Sequence, residues 1–347
     1  MIRTDVDLEI FCLKISGSGH IAIDTEFKRT NTYFPILCLI QIASDEFLEI
    51  IDPLSINNFQ PLINLLKNHK ITWIFHSARQ DLELIFNEFG LLPKKIFDTQ
   101  IAANFLDFDY QISYQSIIEK ICNVSLEKKY TRIDWSKRPI PSGAIEYAVD
   151  DVRYLIELKD FLEKSLINEQ KLDWAEEEFN LILEENLYEP NIFKSWKKIK
   201  GFSNINKNKY QYAFAISAWR EQRAIKKNKP RKWILSDEQI YSLMIGKYSL
   251  SKSKKQDLDS FCDHFKNEIN NFKFDKKTNI LTKLESEQKK QLQSSLVAIA
   301  NQYNLKPEVL FNKKSIISFI KTRQKANFQS GWRYSLLKEE LSKWETF

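Results

Sequence analysis

Four short apolar runs within the first 76 residues constrain the fold more than any other feature of this sequence. Each run is rich in β-branched and aromatic residues and is too short for a typical helix, which indicates buried strands. The runs are "HIAIDTEF", "ILCLIQIA", "FLEIID" and "ITWIFH". Patterns with helical spacing lie between and after them, in "NFQPLINLLKNH", "ARQDLELIFNEFG" and "SYQSIIEKICN". Strands interleaved with helices predict an α/β layered domain.

The remainder of the chain has a different character, because strand signals mostly vanish after about residue 165. We expect one long helix from Ser142 through Phe161, with Ser142 as its cap. The acidic amphipathic stretch "KLDWAEEEFNLILEE" then leads into patterns that are helical throughout. In "AWREQRA" we expect Trp219 to be a core residue and Arg220 to lie on the surface.

Charge is divided unevenly along the chain. Residues 191–347 hold 33 Lys and Arg against 14 Asp and Glu, whereas residues 1–190 hold 19 against 32. Blocks of opposite sign suggest separate domains, and a basic half is typical of a partner with a phosphate backbone. A Lys-rich solvated surface would give the same counts, so charge alone leaves both interpretations open.

Several classes of protein are disfavoured. No stretch approaches the roughly 18 apolar residues that a membrane span needs, and the first residues lack a signal-peptide layout. The four cysteines are widely spaced without a C-x-x-C pair, which favours free thiols in a reducing compartment over zinc ligands or disulfides. They are Cys12, Cys38, Cys122 and Cys262. We therefore expect a cytoplasmic protein that does not contact a membrane.

Two carboxylates stand at the end of the first apolar run. Asp24 and Glu26 are two residues apart, so on a strand both side chains point to the same face. Like charges this close raise each other's pKa unless a cation lies between them. A strand end whose acids face solvent is the alternative.

Three more polar side chains join this pair. Asp81 lies near the start of a helix after the run "ITWIF", and Tyr147 and Asp151 are spaced i, i+4 on one helix face, whereas Asp150 points elsewhere. A first-turn helix acid is the ordinary alternative for Asp81, and a half-buried core aromatic is the alternative for Tyr147. Carboxylates without His or Cys are hard ligands that suit Mg²⁺ or Mn²⁺. Two such ions would supply the positive charge.

These residues resemble a known family. "DTEF", "HSARQDLELIF" and "YAVDDVRYL" are similar to the three exonuclease motifs of the DEDD superfamily, and Tyr147 resembles its tyrosine-bearing branch. "DTEFKRTNTYFPILCLIQIA" and "IDWSKRPIP" look like the ribonuclease D family. "AISAWREQRAIKKNKPRKWILSDEQI" resembles the helicase-and-ribonuclease-D C-terminal (HRDC) domain, and the segments "LKPEVLFNKKSIISFI" and "QSGWRYSLLKEELSKW" resemble a second such module.

The resemblance implies a ribonuclease-H-like exonuclease domain, with a mixed sheet flanked by helices, followed by two small all-α helical domains. The expected domains are residues 1–190, 191–283 and 284–347. Two divalent ions, Mg²⁺ or Mn²⁺, are implied as cofactors. Asp24 would bridge both ions, Glu26 and Asp151 would complete the first, and Asp81 would hold the second. Tyr147 would orient the water that attacks the terminal phosphodiester.

The expected activity is that of a monomeric 3′-5′ exoribonuclease which releases nucleoside 5′-monophosphates from tRNA precursors and other structured small RNAs. An exonuclease acting mainly on DNA is one alternative, because the same metal site cuts either polymer. A non-catalytic RNA-binding protein is the alternative from another class, although such a protein should have lost a ligand. Candidate substrate contacts are Phe27, Gln41, His76, Lys129, Arg132, Lys137 and Arg138. Core packing for Phe27, a satisfied polar role for His76 and a solvated loop for the basic residues are the alternatives.

Overall fold

The computed structural model describes residues 1–127, 129–130, 133–274, 281–323, 326 and 328–344. These residues form two compact units. The first unit comprises Met1–Phe27, Leu37–Tyr188 and the described residues of Asn279–Phe347. The second comprises Lys28–Ile36 and the described residues of Glu189–Thr278. The expected division into three domains at residues 190 and 283 stays a prediction.

A five-stranded mixed sheet forms the centre of the first unit. Its strands are β1 His20–Lys28, β2 Ile36–Ala43, β3 Leu48–Ile51, β4 Thr72–Phe75 and β5 Ile96–Asp98. The strand order is β3-β2-β1-β4-β5, with β3 antiparallel to β2 and β4 parallel to both β1 and β5. The mixed sheet and the four predicted strands are confirmed. Strand β5 has only three residues and gives no periodic signal in the sequence.

Helices precede, interleave with and follow the strands. Those up to residue 182 are α1 Asp5–Ile15, α2 Gln60–Lys67, α3 Arg79–Phe89, α4 Thr99–Asn104, α5 Tyr114–Cys122, α6 Ser142–Arg153, α7 Leu155–Asn168 and α8 Leu172–Ile182. The second unit contains α9 Tyr210–Lys226, α10 Arg231–Ile234, α11 Asp237–Met244, α12 Lys252–His264 and α13 Lys266–Asn271. The last helices are α14 Lys283–Gln302, α15 Pro307–Leu310, α16 Lys313–Thr322 and α17 Gly331–Ser342. Short 3₁₀ segments lie at Pro53–Ser55, Glu185–Leu187, Ile192–Lys198, Phe202–Asn204 and Lys207–Lys209.

The expected single helix from Ser142 to Phe161 is wrong, because two helices, α6 and α7, meet at Tyr154. The hydroxyl of Tyr114 donates to the carbonyl of Asp150 at 2.9 Å, which is the carbonyl that Tyr154 would use in an unbroken helix. The backbone N–H of Tyr154 instead bonds to the carbonyl of Val152. A side chain inserted into the helical ladder is a common cause of such a break. Ser142 is the first helical residue and makes no capping bond.

Helix α17 packs on α8 within the first unit. The indole of Trp332 stacks on that of Trp174, with ring centroids 5.3 Å apart and planes at 17°. Its backbone N–H donates to Glu177 at 2.9 Å, and its indole N–H donates to Glu178 at 2.9 Å. Arg333 also pairs with Glu178. The final helix is therefore fixed to the sheet-containing unit by both apolar and charged contacts.

Helix α9 forms the core of the second unit, and nearly every residue from 213 to 221 is buried. Trp219 is a core residue, as expected. The expected surface position of Arg220 is wrong, because this side chain is fully buried. Its guanidinium donates to Asp237 at 2.7 Å and to the carbonyl of Leu235 at 3.1 Å. An arginine can occupy a buried helix face only when acceptors from other elements meet it there.

All four cysteines lie within the described residues, and none of them forms a disulfide. No helix among the described residues combines the length and the apolar character that a bilayer crossing requires.

Candidate active site

A cleft of about 820 Å³ opens beside the carboxyl end of β4. Its parallel partner β1 is paired with β4 from His20 to Ala22, so the residues that follow in β1 extend beyond β4 at the same edge of the sheet. The cleft is lined by Asp24, Thr25, Glu26, Phe27, His76, Ser77, Arg79, Gln80, Asp81, Glu83, Ile133, Trp135 and Tyr147.

The four predicted carboxylates influence one another electrostatically. Burial, and then the charges of Asp81, Asp151 and Glu26, hold the pKa of Asp24 well above its ordinary value. Burial and the charges of Asp151 and Asp81 raise the pKa of Glu26 to about 8. Burial, with a neighbouring carboxylate in each case, raises the pKa of Asp81 and of Asp151 to about 7. The fold thus brings together four acids that are far apart in the sequence.

Asp81 is held by a residue that the sequence analysis did not select. The hydroxyl of Thr25 donates to the carboxylate of Asp81, which is itself buried on α3. Thr25 lies between Asp24 and Glu26 in β1, so one strand contributes three neighbouring polar side chains. The sequence signal was a small hydroxyl residue placed between two acids.

Asp98 organises the turn from which α3 begins. Its carboxylate accepts hydrogen bonds from the backbone N–H groups of Ser77 and Ala78, at 3.1 and 2.7 Å, and also caps α4. Ser77 has a positive φ of 67°, a conformation that non-glycine residues adopt only with support. Asp98 is almost completely buried. Its sequence signal was an aspartate directly before a helix.

Helix α6 presents Tyr147 to the cleft. Tyr147 stacks on the buried Trp135, with ring centroids 6.4 Å apart and planes at 27°. Burial, and then the charges of Asp151 and Glu26, raise the pKa of the Tyr147 hydroxyl. Asp150 forms an ion pair with Arg153 at 2.8 Å, as its different helical angle predicted.

Arg79 is the cation of this acidic cleft that sequence reasoning missed. It is exposed on the first turn of α3, two residues before Asp81, and among the described residues no carboxylate forms a salt bridge with it. A guanidinium in such a place is suited to contact a phosphate.

Two of the predicted substrate contacts, Phe27 and His76, line the cleft. The Nε2–H group of His76 donates to the carbonyl of Ile112 at 3.0 Å, and Nδ1 lies 2.8 Å from the hydroxyl of Thr99. Burial lowers the pKa of His76, which favours the neutral ring. Protein groups therefore occupy both ring nitrogens, as expected for the satisfied polar alternative.

Two other predicted contacts, Gln41 and Lys129, are not among the residues that line the cleft. Gln41 is completely buried on β2, and its amide has no hydrogen-bond partner in the part of the chain that the structure describes. Lys129 is exposed and pairs with Glu127 at 2.8 Å. Arg132 lies outside the described residues, so its predicted role stays a prediction.

Arg138 has an arrangement that sequence analysis did not consider. Its guanidinium binds Asp52 through two hydrogen bonds of 2.7 and 2.6 Å. Its remaining N–H groups donate to the carbonyls of Cys38, Trp135 and Lys137. Because all of its donors have partners within the protein, Arg138 anchors this loop, and its geometry gives no support to a phosphate contact.

The donor set of the cleft fits hard divalent cations. Asp24, Glu26, Asp81 and Asp151 offer only carboxylate oxygens, which Mg²⁺ and Mn²⁺ prefer. No three His, Cys, Asp or Glu side chains of the described residues already adopt a metal-binding geometry. Buried like charges repel when no cation lies between them, so a ready-made cage is not expected in the metal-free chain.

Comparison with known proteins gives consistent matches. Residues 1–167 match a family model described as 3′-5′ exonuclease. The ribonuclease D of Bartonella henselae is 37% identical over 247 residues, covering 71% of this chain and 60% of that protein. The ribonuclease D of Zymomonas mobilis is also 37% identical over 247 residues, covering 71% and 63%. The match therefore spans about three fifths of the length of these relatives.

A solved structure is similar over a longer region. The crystal structure of Escherichia coli RNase D, described as an exoribonuclease involved in structured RNA processing, superimposes with a TM-score of 0.86 at 26% identity. The alignment covers 99% of this chain and 97% of that chain. The similarity in fold thus includes the helical regions that follow residue 167, which the family model does not reach.

Proposed function

This chain is a homologue of ribonuclease D, and from that relationship we propose that it is a 3′-5′ exoribonuclease. One observation supports the proposal most directly: Asp24, Glu26, Asp81 and Tyr147 line one cleft. The charge of Asp151 lies close enough to raise the pKa of both Asp24 and Glu26. These residues come from β1, α3 and α6, three elements with no local reason to concentrate negative charge in one place. Bringing these negative charges together costs free energy, and a reaction that requires bound cations would explain why the fold does so.

We assign the four carboxylates to two divalent ions. Asp24 would serve both ions, Glu26 and Asp151 would complete the set that holds the first, and Asp81 would hold the second. Two such ions, when bound, activate a water nucleophile and stabilise the charge of the leaving oxygen in phosphoryl displacement. Thr25 keeps the Asp81 carboxylate in place through its hydrogen bond.

Tyr147 and Arg79 act on the substrate side of the cleft. A tyrosine hydroxyl is protonated at neutral pH, and the raised pKa of Tyr147 disfavours a role as a base, so we assign it to orienting the attacking water by hydrogen bonding. Arg79 offsets the charge of the scissile phosphate, and Phe27 stacks on the terminal base. The products are nucleoside 5′-monophosphates.

We extend the proposal to substrates and setting. Precursors of tRNA and other structured small RNAs with a free 3′ end are the substrates, and the enzyme acts as a monomer. The lack of a disulfide among its four described cysteines is compatible with the reducing cytoplasm.

The test is a time course on 5′-labelled RNA and sequence-matched DNA with Mg²⁺, Mn²⁺ or EDTA. We expect metal-dependent shortening of RNA from its 3′ end. Asp151→Asn should lower the rate by more than about a hundredfold, since even residues that only support a metal ligand are worth roughly 10–100-fold. Asp150→Asn is the matched control on the same helix. It removes a carboxylate that pairs with Arg153 and should retain nearly full activity.

Three outcomes would contradict the proposal. Faster degradation of DNA than of RNA would support the 3′-5′ exonuclease chemistry but show that DNA is the preferred substrate. Binding of RNA without cleavage of either polymer would identify a non-catalytic RNA-binding protein. An equal loss of RNA-degrading activity in the Asp151→Asn and Asp150→Asn variants would contradict the role assigned to Asp151 at the cleft.

A further inference from the structure

A basic turn joins helices α9 and α10 in the second unit. We define it as residues 226–233, "KKNKPRKW". Four of its lysines are exposed, and none forms a salt bridge with any residue that the structure describes. They are Lys226, Lys227, Lys229 and Lys232. These four ammonium groups are therefore not committed to ion pairs with described residues, although a backbone hydrogen bond and, to a smaller extent, the charge of Lys232 lower the pKa of the Glu238 carboxyl.

The turn ends in an exposed tryptophan. Trp233 is 61% exposed, whereas the other seven tryptophans, all within the described residues, are buried or half-buried. The ammonium group of Lys229 lies 5.8 Å from the centre of its ring. A large ring left in water among unpaired cations is the combination that base stacking and phosphate binding require.

The turn is held rigidly from its inner side by the segment that follows β1. The side-chain oxygen of Asn228 accepts hydrogen bonds from the backbone N–H groups of Tyr33 and Phe34, at 3.0 and 3.1 Å. Arg231 binds both carboxylate oxygens of the buried Glu221, at 2.9 and 3.0 Å, and the hydroxyl of Tyr33 donates to Glu221 at 2.6 Å. These contacts hold the turn in one conformation without a ligand, which lowers the entropic cost of binding.

Arg231 has a structural role that the four lysines of the turn do not share. Its guanidinium is committed to Glu221 and also lies over the ring of Tyr33, at 5.8 Å. The structural cation of the turn is therefore distinct from the four lysines, whose side chains extend into solvent. Tyr33 follows Glu26 by only seven residues, so the clamp on the turn is continuous in sequence with the strand that carries two of the cleft carboxylates.

We propose that the basic turn binds a single-stranded segment of RNA. Trp233 stacks on an unpaired base, and the four lysines contact the phosphates of neighbouring nucleotides. The inference rests on the proposed function, because the RNA bound here is the substrate. An exposed ring with the Lys229 ammonium over it, and three further exposed lysines in the same turn, offer the stacking face and the positive charges that a nucleic-acid strand requires.

Binding can be measured separately from cleavage. In EDTA, the anisotropy of a 5′-labelled unstructured oligoribonucleotide reports its dissociation constant without hydrolysis. Trp233→Ala should weaken binding roughly 5- to 150-fold, the range for loss of one stacked base, and Trp233→Phe should recover most of the loss. Tyr212→Ala is the matched control: it removes a ring that is 43% exposed in the same unit but lies near the acidic Asp259, and it should bind as the wild type does.

Salt dependence tests the lysines. Replacing Lys229 and Lys232 by glutamine should reduce the slope of log K against log salt by roughly 0.7 for each phosphate that is no longer neutralised. An unchanged slope would exclude these lysines as phosphate ligands. Circular dichroism and thermal unfolding of each variant would verify that the fold is intact, which is expected because the altered side chains are exposed.

The outcomes separate this inference from the proposed function. If Trp233→Ala binds RNA as tightly as the wild type while the enzyme still degrades RNA, the basic turn proposal is overturned and the nuclease assignment remains. If the wild type binds RNA through Trp233 but cleaves nothing, the turn is supported and the nuclease assignment fails. If the wild type is a dimer, and Trp233→Ala makes it monomeric without changing its affinity for RNA, the basic turn binds a second copy of the chain and not RNA.

Discussion

The acidic side chains at the cleft should lose their protons at an unusually high pH as long as no cation neutralises them. Burial and mutual repulsion favour their protonated forms, so the pKa of Glu26 is about 8 and that of Asp81 and of Asp151 is about 7. Unfolded carboxyl groups titrate near 4. Between these values the folded chain binds more protons than the unfolded chain does.

The free energy of unfolding of the metal-free protein should therefore fall as the pH rises from about 4 to about 8. Deprotonation in this range creates uncompensated charge only in the folded state. Urea unfolding in EDTA at several pH values measures the effect, and Mg²⁺ should reduce it by neutralising the carboxylates. Asp151→Asn should show a shallower decline. A metal-free stability that increases with pH over this range would contradict the described electrostatics.

Individual site residues differ in how far the sequence could identify them. Tyr147 and Asp151 were identifiable because their partnership depends on local helical spacing. Thr25 and Asp98 were not, since each acts on a residue brought near only by the fold: Thr25 holds a carboxylate 56 residues away. The pairing of Arg138 was hidden for the same reason, because its partner Asp52 is 86 residues away.

At the scale of secondary structure, Gly331 is a position where α17 should be sensitive to substitution. It has a φ of 61°, and a Cβ atom there would overlap the carboxylate of Glu177. That carboxylate accepts the hydrogen bond from the backbone of Trp332. Both the backbone conformation and the helix start therefore require glycine.

Gly331→Ala should reduce the free energy of unfolding by about 1–3 kcal/mol, the typical cost of a strained left-handed residue with a displaced neighbour. Urea denaturation provides the measurement. Gly17→Ala is the control, since no atom lies within 4 Å of the Cβ it would add, and its effect should stay within about 1 kcal/mol. Equal effects of the two substitutions would argue against the described contact with Glu177.

Sequence periodicity located most elements but not the boundary between α6 and α7. The residues on both sides of Tyr154 have good helical spacing, and nothing local marks the break. Its cause is the hydroxyl of Tyr114, which reaches the carbonyl of Asp150 from another helix. The cap of α3 at Gly90, with a φ of 70°, was predictable because a left-handed glycine is a local signal.

At the scale of the whole molecule, the opposite net charges of residues 1–190 and 191–347 should make cleavage of long RNA more sensitive to salt than cleavage of short RNA. Residues 191–347 carry 33 basic against 14 acidic residues. A long RNA that contacts them releases counterions, whereas a dinucleotide held in the cleft has a single phosphate to neutralise.

We expect kcat/KM for a long RNA to fall roughly fiftyfold between 50 and 200 mM KCl if four phosphates are contacted, and about threefold for a dinucleotide. Both rates would be measured at saturating Mg²⁺ so that salt does not change metal occupancy. The same salt dependence for the two substrates would contradict a role of the basic half in binding. The charge division was evident in the sequence, but the arrangement of the lysines around Trp233 required the structure.

The packing of α17 on α8 also has a consequence for how the protein is made. Trp332 and its acceptor Glu177 are 155 residues apart, and ribosomes add roughly 5–20 residues per second. For roughly 10 to 30 s, a nascent chain therefore holds the Trp174 ring and two glutamates without their final partners. The first unit begins to be synthesised before the second but is completed only when α17 has been made. During this interval the face of α8 that carries Trp174 is accessible to chaperones.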